Sequence, residues 1–226
     1  MDLLVATRNA HKTREIRQIL GPGFAVSDLC SHEIPEVHES GKSFEENATL
    51  KAVAISKYFP GLVVADDSGL EVDALGGAPG VFSARYAGHE ASDKQNIQKL
   101  LGALARIEPR AKRSARFRCV IALARKGELL GTFEGIVEGT ITEQARGLRG
   151  FGYDPIFIPC GFQQTFAGLP AEVKNRISHR AKAIRLLAAN LAPLKTRGYG
   201  PGGAGAPAGG APGGGAAPPG PAAALI

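Results

Sequence analysis

The sequence predicts an α/β protein built on a mixed β-sheet. Three observations carry that reading. Short apolar runs alternate with amphipathic helical segments in the first half of the chain, strand-like runs then follow one another around a tight turn, and a long helical stripe closes the pattern.

In chain order, Leu3–Ala6 reads as a buried strand, and polar Thr7–Lys12 leads into a helix with Ile16, Ile19 and Leu20 on one side. Ser43 with Glu46 three positions on is a capping box that opens a helix, followed by Phe44, Ala48, Ala52, Ile55 and Phe59 at helical spacing. Leu62–Ala65 is a second buried strand. Ser92 with Gln95 caps another helix, whose stripe is Ile97, Leu100, Leu101 and Leu104. Arg116–Ala124 and Leu129–Val137 pair around Lys126-Gly127, and Pro155–Ile158 is a brief strand. A last helix starts at Ser178, with Ala181, Ile184, Leu187, Ala188 and Leu191 inward and Pro193 just beyond its end.

From Gly198 to Ile226 the chain is almost wholly Gly, Pro and Ala, with no charged side chain. Such a segment has too little apolar surface to offset the entropy of ordering it, so it is expected to be a disordered tail behind one domain spanning residues 1–197. The net charge is +6, and Arg106–Arg118 is strongly basic. That suits either a polyanionic partner or a solvated loop. The three cysteines, Cys30, Cys119 and Cys160, are far apart, which points to neither a disulfide framework nor a structural zinc site. The N-terminus lacks the pattern of a signal peptide and no apolar run reaches membrane-spanning length, so the expected location is the cytoplasm, with no membrane partner.

Four segments carry chemistry. Thr7-Arg8-Asn9-Ala10-His11-Lys12 joins a strand to a helix, where N–H groups and a Lys attract phosphate; an ordinary polar turn is the alternative, and the glycines of a Walker A loop are missing. Asp66-Asp67-Ser68-Gly69 follows an apolar strand directly. Adjacent carboxylates there are tolerated when a cation or hydrogen bonds compensate them, and Mg²⁺ held by carboxylates plus substrate phosphates fits; the alternative is a turn before Gly69. Glu71 and Asp73 alternate with Leu70 and Val72 and suit the solvent face of a strand. In Gly150-Phe151-Gly152-Tyr153-Asp154-Pro155 an aromatic face and an acid at a bend suit a nucleobase or a packed turn. In Lys174-Asn175-Arg176-Ile177-Ser178-His179-Arg180, cations in a helix's first turn oppose its dipole. A nearby electron-rich ligand atom or simple solvation accounts for them.

In this order, and with Lys51-Ala52, Leu75-Gly76-Gly77-Ala78-Pro79-Gly80 and Ser83-Ala84-Arg85-Tyr86 between them, these motifs resemble the inosine/xanthosine triphosphate pyrophosphatase family from Leu3 to about Leu191. The resemblance implies an elongated two-lobed fold around a long mixed sheet, a homodimer, and a nucleotide in the cleft between lobes. It implies hydrolysis of non-standard purine nucleoside triphosphates (dITP/ITP, XTP/dXTP) to the monophosphate and pyrophosphate with Mg²⁺. By the same likeness Thr7–Lys12 hold the triphosphate, Asp67 is general base and metal ligand, and Ser68 touches the nucleotide. Phe151, Gly152, Tyr153, Asp154 and Lys174 bind the base and phosphate regions, and His179-Arg180 read the purine carbonyl. Family members often carry a metal-binding Glu three residues before the glycine equivalent to Gly41; His38 stands there, with Glu39 beside it, and Glu46 is a further candidate. Two rival readings are a pyrophosphatase acting on pyrimidine triphosphates and a basic nucleic-acid-binding protein; the paired aspartates, which repel phosphate unless a metal is bound, oppose the latter, so no nucleic-acid partner is expected.

Overall fold

The computed structural model describes residues 1–35, 37–107 and 113–196. The expected tail, 198–226, and the middle of the basic segment, 108–112, lie outside the described residues.

Six strands form one mixed sheet in the order β2-β1-β3-β4-β5-β6. β1 (Asp2–Val5) lies between β2 (Ala25–Asp28) and β3 (Leu62–Val72), parallel to both. β4 (Ser114–Arg125), β5 (Glu128–Ile141) and β6 (Phe157–Pro159) continue antiparallel from β3. The β4–β5 hairpin turns at Lys126-Gly127, both at positive φ, which glycine adopts without a Cβ clash. The mixed α/β fold expected from the alternating pattern is the one found.

The side chains of β3 explain where a site can open. On one face, Leu62 and Val64 join a core with Ile16 of α1 (Ala10–Leu20) and with Ala183, Ile184, Leu187 and Leu191 of α5 (His179–Thr196). Further along the same face Leu70 and Val72 join a second core with Ile97, Leu100 and Leu104 of α3 (Asp93–Leu104), Phe117 and Phe157. Between these two cores the period-2 alternation brings Asp66 and Ser68 instead of apolar residues. On the opposite face Val63 and Ala65 pack under Phe44, Ala48, Ala52 and Ile55 of α2 (Phe44–Ile55).

Several bounds differ from expectation for identifiable reasons. β3 does not stop at Ala65 but runs through the paired aspartates to Val72, because β4 pairs with it residue by residue as far as Ala115. What ends there is β1, whose register on β3 closes at Val64. Asp66 and Asp67 therefore lie in mid-strand, where the neighbouring strand has stopped, and the turn reading is excluded. A seven-residue helix, α4 (Ala171–Ile177), precedes α5 and has no side-chain N-cap; its brevity left no periodic stripe to read. α5 runs through Pro193 to Thr196. Ser43 accepts from the Glu46 N–H, but the Glu46 carboxylate takes the Lys42 N–H rather than closing the box on Ser43. At Ser92 and Gln95 both halves of the box form.

Candidate active site

One pocket opens where β1 ends beside β3, and it gathers residues from eight separated segments. Asn9, Lys12, Asp67, Ser68, Phe151, Gly152, Tyr153, Asp154, Lys174, His179 and Arg180, all expected from sequence, line it. Thr7, Arg8, Ala10 and His11 do not. The Thr7 hydroxyl accepts from the Asn9 N–H, and Arg8 donates to the carbonyls of Leu29 and Ile34, which fastens the neighbouring loop. Ala10 begins α1, and His11 stacks on Phe151 with ring centroids 5.3 Å apart.

The start of α1 contributes less bare backbone than expected. Asn9 is its N-cap, and its side-chain oxygen accepts from the N–H groups of His11 (2.9 Å) and Lys12 (3.3 Å). Charge at this end comes from the Lys12 side chain, whose ammonium lies 2.5 Å from Asp66.

The two aspartates differ. Asp66 is 1% exposed and is held by Lys12, by the Arg180 guanidinium (2.9 Å), by the Cys119 thiol (3.0 Å) and by the Ser68 hydroxyl (3.1 Å). Burial pushes its carboxyl up, but Arg180 and Lys12 outweigh that and keep it well below the usual carboxylate range. Asp67 faces α2 and the pocket. Burial raises its carboxyl and the Glu39 carboxylate adds to this, against partial relief from Lys51 and Lys12, so the net shift is upward. Its Oδ2 is buried and has no hydrogen-bond partner among the described residues.

That orphaned oxygen is what a cation would satisfy. Glu39 lines the same pocket, and the Lys51 ammonium lies 2.9 Å from it and 3.6 Å from Asp67. His38 is exposed, and Glu46 is occupied as a cap, so of the three candidates Glu39 accompanies Asp67. No group of three or more His, Cys, Asp or Glu side chains able to hold a metal occurs among the described residues. Two carboxylates fit a hard cation that takes its remaining ligands from water and substrate phosphate, as Mg²⁺ does.

The far end of the pocket rests on a chain of buried charges. Arg180 donates to Asp66, to Ser68 (2.8 Å) and to Glu15, and Glu15 also accepts from Lys174 (2.8 Å), which pairs with Asp154. Arg180 and Asp154 are almost fully buried, and alternating signs make that burial tolerable. Glu15 went unread in the sequence; its position three residues after Lys12, on the same helical face, was the available signal. Asp154 also accepts the Phe151 N–H (2.9 Å), and Asp93 at the start of α3 accepts the Gly152 N–H (2.6 Å), so this loop is held from two sides. His179, 4% exposed, stacks on Phe117 at 4.7 Å, and its Nδ1 has no partner among the described residues. Burial first, then Arg180 and Lys174, hold its pKa well below the ordinary value, so the imidazole is neutral. Ser178 caps α5 by accepting from the Ala181 N–H (3.2 Å), and the helix start approaches β5 so closely that a Cβ on Gly135 would lie 2.1 Å from the His179 carbonyl.

Two arginines at the end of the basic stretch are taken up in ion pairs. Arg116 pairs with Glu71, Asp73 and Glu138, and Arg118 with Glu71 and Glu134, across β3, β4 and β5.

The sequence matches the Ham1 family over residues 3–190. It is 50% identical over 192 residues to the dITP/XTP pyrophosphatase of Bacillus licheniformis, covering 84% of this chain and 97% of that one. To the dITP/XTP pyrophosphatase of Bacillus subtilis it is 48% identical over 188 residues, covering 82% and 94%. Among solved structures, a HAM1 protein from Coxiella burnetii superposes with a TM-score of 0.78 at 40% identity, covering 85% of this chain and 99% of that one. The Ham1 protein of Staphylococcus aureus gives 0.75 at 41% identity, with 86% and 100% covered.

Proposed function

The chain belongs to the Ham1 family, and we propose that it hydrolyses non-standard purine nucleoside triphosphates (dITP/ITP and XTP/dXTP) to the monophosphate and pyrophosphate, clearing them from the nucleotide pool. The observation that carries this reading is a single pocket with two unlike ends. One end has carboxylates Asp67 and Glu39 beside Lys12, and the other has a neutral imidazole and a pinned aromatic loop.

In this reading the triphosphate lies at the acidic end, past the end of β1, where Asp67 and Glu39 would hold Mg²⁺. When bound, such an ion draws charge from phosphoryl oxygens and neutralises part of the triphosphate. Asp67, with its carboxyl raised by burial, orients a water and accepts its proton as the water attacks the α-phosphorus in line. Lys12 and Lys174 offset the charge that develops on the pyrophosphate side and along the nucleotide. Ser68, held between Asp66 and Arg180, contacts the nucleotide. At the other end the purine lies against Phe151–Asp154, and His179 reads the 6-oxo group. Most donors of Arg180 are engaged by Asp66, Glu15 and Ser68, which makes it the hub of the buried charge chain as much as a direct contact. A 6-amino group in place of the oxo sets donor against donor, an arrangement that gives about 10⁴-fold discrimination. A homodimer and a cytoplasmic location complete the proposal. No described helix is long and apolar enough to cross a membrane.

A panel of purine and pyrimidine triphosphates with Mg²⁺, scored for pyrophosphate against orthophosphate, tests the reading. Pyrophosphate from dITP and XTP far ahead of ATP is expected. Orthophosphate release, or preference for a pyrimidine, contradicts it. Ion pairing of Arg116 and Arg118 disfavours the nucleic-acid alternative, which predicts salt-dependent DNA or RNA binding without turnover.

A further inference from the structure

The turn that follows β3 is anchored far more heavily than a surface turn requires. The Gly80–Arg85 segment lies so close to β3 that a Cβ on Gly69 would fall 2.4 Å from the Ser83 hydroxyl and 2.6 Å from the Gly80 carbonyl. Ser83 accepts the Leu70 N–H (2.9 Å) and donates to the Gly80 carbonyl (2.6 Å), while its own carbonyl accepts from the Tyr153 hydroxyl (2.9 Å). Asn96 of α3 donates to the Ala84 carbonyl (3.0 Å) and accepts the Ala87 N–H (2.7 Å). These contacts fix the backbone on both sides of Arg85. A rigid mount of this kind holds a side chain in place for a ligand.

Arg85 lines the pocket at its acidic end. Its guanidinium lies over the Phe82 ring (5.3 Å), and its charge partner is Glu39, with Nη1 3.8 Å from Oε2. That separation is too long for a hydrogen bond, so the planar fork of donors is not spent on Glu39. An ion held by Glu39 and Asp67 would take over the Glu39 charge and leave the Arg85 fork facing the same space. A guanidinium matches phosphate geometry with two parallel hydrogen bonds, which an ammonium cannot do.

We infer that Arg85 is a phosphate-binding residue that grips the terminal phosphoryl groups of the substrate and, after cleavage, the departing pyrophosphate. This rests on the proposed triphosphate pyrophosphatase activity and adds to it a contact the sequence motifs did not assign. The assignment gives Arg85 only the two terminal phosphoryl groups and leaves the α-phosphate and the base to other residues.

The test is calorimetric binding of inorganic pyrophosphate, and separately of inosine monophosphate, to wild type, Arg85→Ala and Arg85→Lys in Mg²⁺ buffer, with dITP turnover measured on the same samples. Loss of charged hydrogen bonds is expected to weaken pyrophosphate binding of Arg85→Ala about 10- to 100-fold. Inosine monophosphate affinity and the melting temperature should stay unchanged. Arg85→Lys should recover only part of the loss. Pyrophosphate binding as tight in Arg85→Ala as in an active wild type overturns the role of Arg85 alone, and so does an equal loss for both ligands. A wild type that turns over no dITP overturns the activity and this inference together.

Discussion

Asp66 and Asp67 are neighbours in sequence and opposites in environment. Asp66 is enclosed by Lys12, Arg180, Cys119 and Ser68, whereas Asp67 keeps one oxygen without a partner. The difference separates two substitutions. Asp67→Asn should lower dITP turnover by about 10²–10⁴-fold, as loss of a general base does, with an unchanged unfolding midpoint in urea. Asp66→Asn should instead destabilise the fold by about 3–5 kcal/mol, because it leaves buried Arg180 and half-buried Lys12 short of a counter-charge. Denaturant titration distinguishes them. His179 adds a pH dependence. Folding keeps its imidazole neutral, while in the unfolded chain it titrates near the ordinary value of 6.5, so the unfolded state binds more protons and stability is lost as pH falls below 6.5. Between pH 7 and 5.5 this group should cost about 1 kcal/mol, and His179→Gln should remove that part of the slope. The aspartate pair was legible because two acids after an apolar run are hard to explain otherwise. Which of the two serves as anchor was not legible, since Arg180 and Lys12 reach Asp66 only through tertiary packing.

At the scale of elements, the site depends on β3 outrunning β1 and on two turns clamped against the sheet. Gly69→Ala should push the Gly80–Arg85 turn off β3, cost about 1–3 kcal/mol through overpacking, and lower turnover because Arg85 and Tyr153 move with it. Ser92→Ala removes a complete capping box and should cost about 1 kcal/mol, read as a lowered melting temperature. Helices with strong stripes were readable, and Ile97, Leu100 and Leu104 are buried as their spacing indicated. The length of β3 was hidden because polar Asp66, Asp67 and Ser68 interrupt its apolar run. Pairing to β4, which sequence periodicity does not reveal, carries the strand across them. α4 was hidden by its seven residues, fewer than are needed to display a periodic face.

Across the whole molecule, one sheet face carries two apolar cores with a charged gap between them, and the pocket runs from that gap past the end of β1 to Asp67 and Glu39. The alternation of elements made the α/β class legible, and the four polar segments named most of the pocket. Glu15, Asp93 and Asn96 escaped notice because each is an ordinary helix residue until the fold brings it to the site. The Gly/Pro/Ala stretch lies outside the described residues, and truncation after Arg197 should leave dITP turnover unchanged. The most direct measurement is a crystal structure with Mg²⁺ and a non-hydrolysable dITP analogue. It should place the ion against Asp67, Glu39 and triphosphate oxygens, with the purine beside His179. A structure in which Asp67 and Glu39 contact neither ion nor phosphate, with the nucleotide bound elsewhere, would contradict the account.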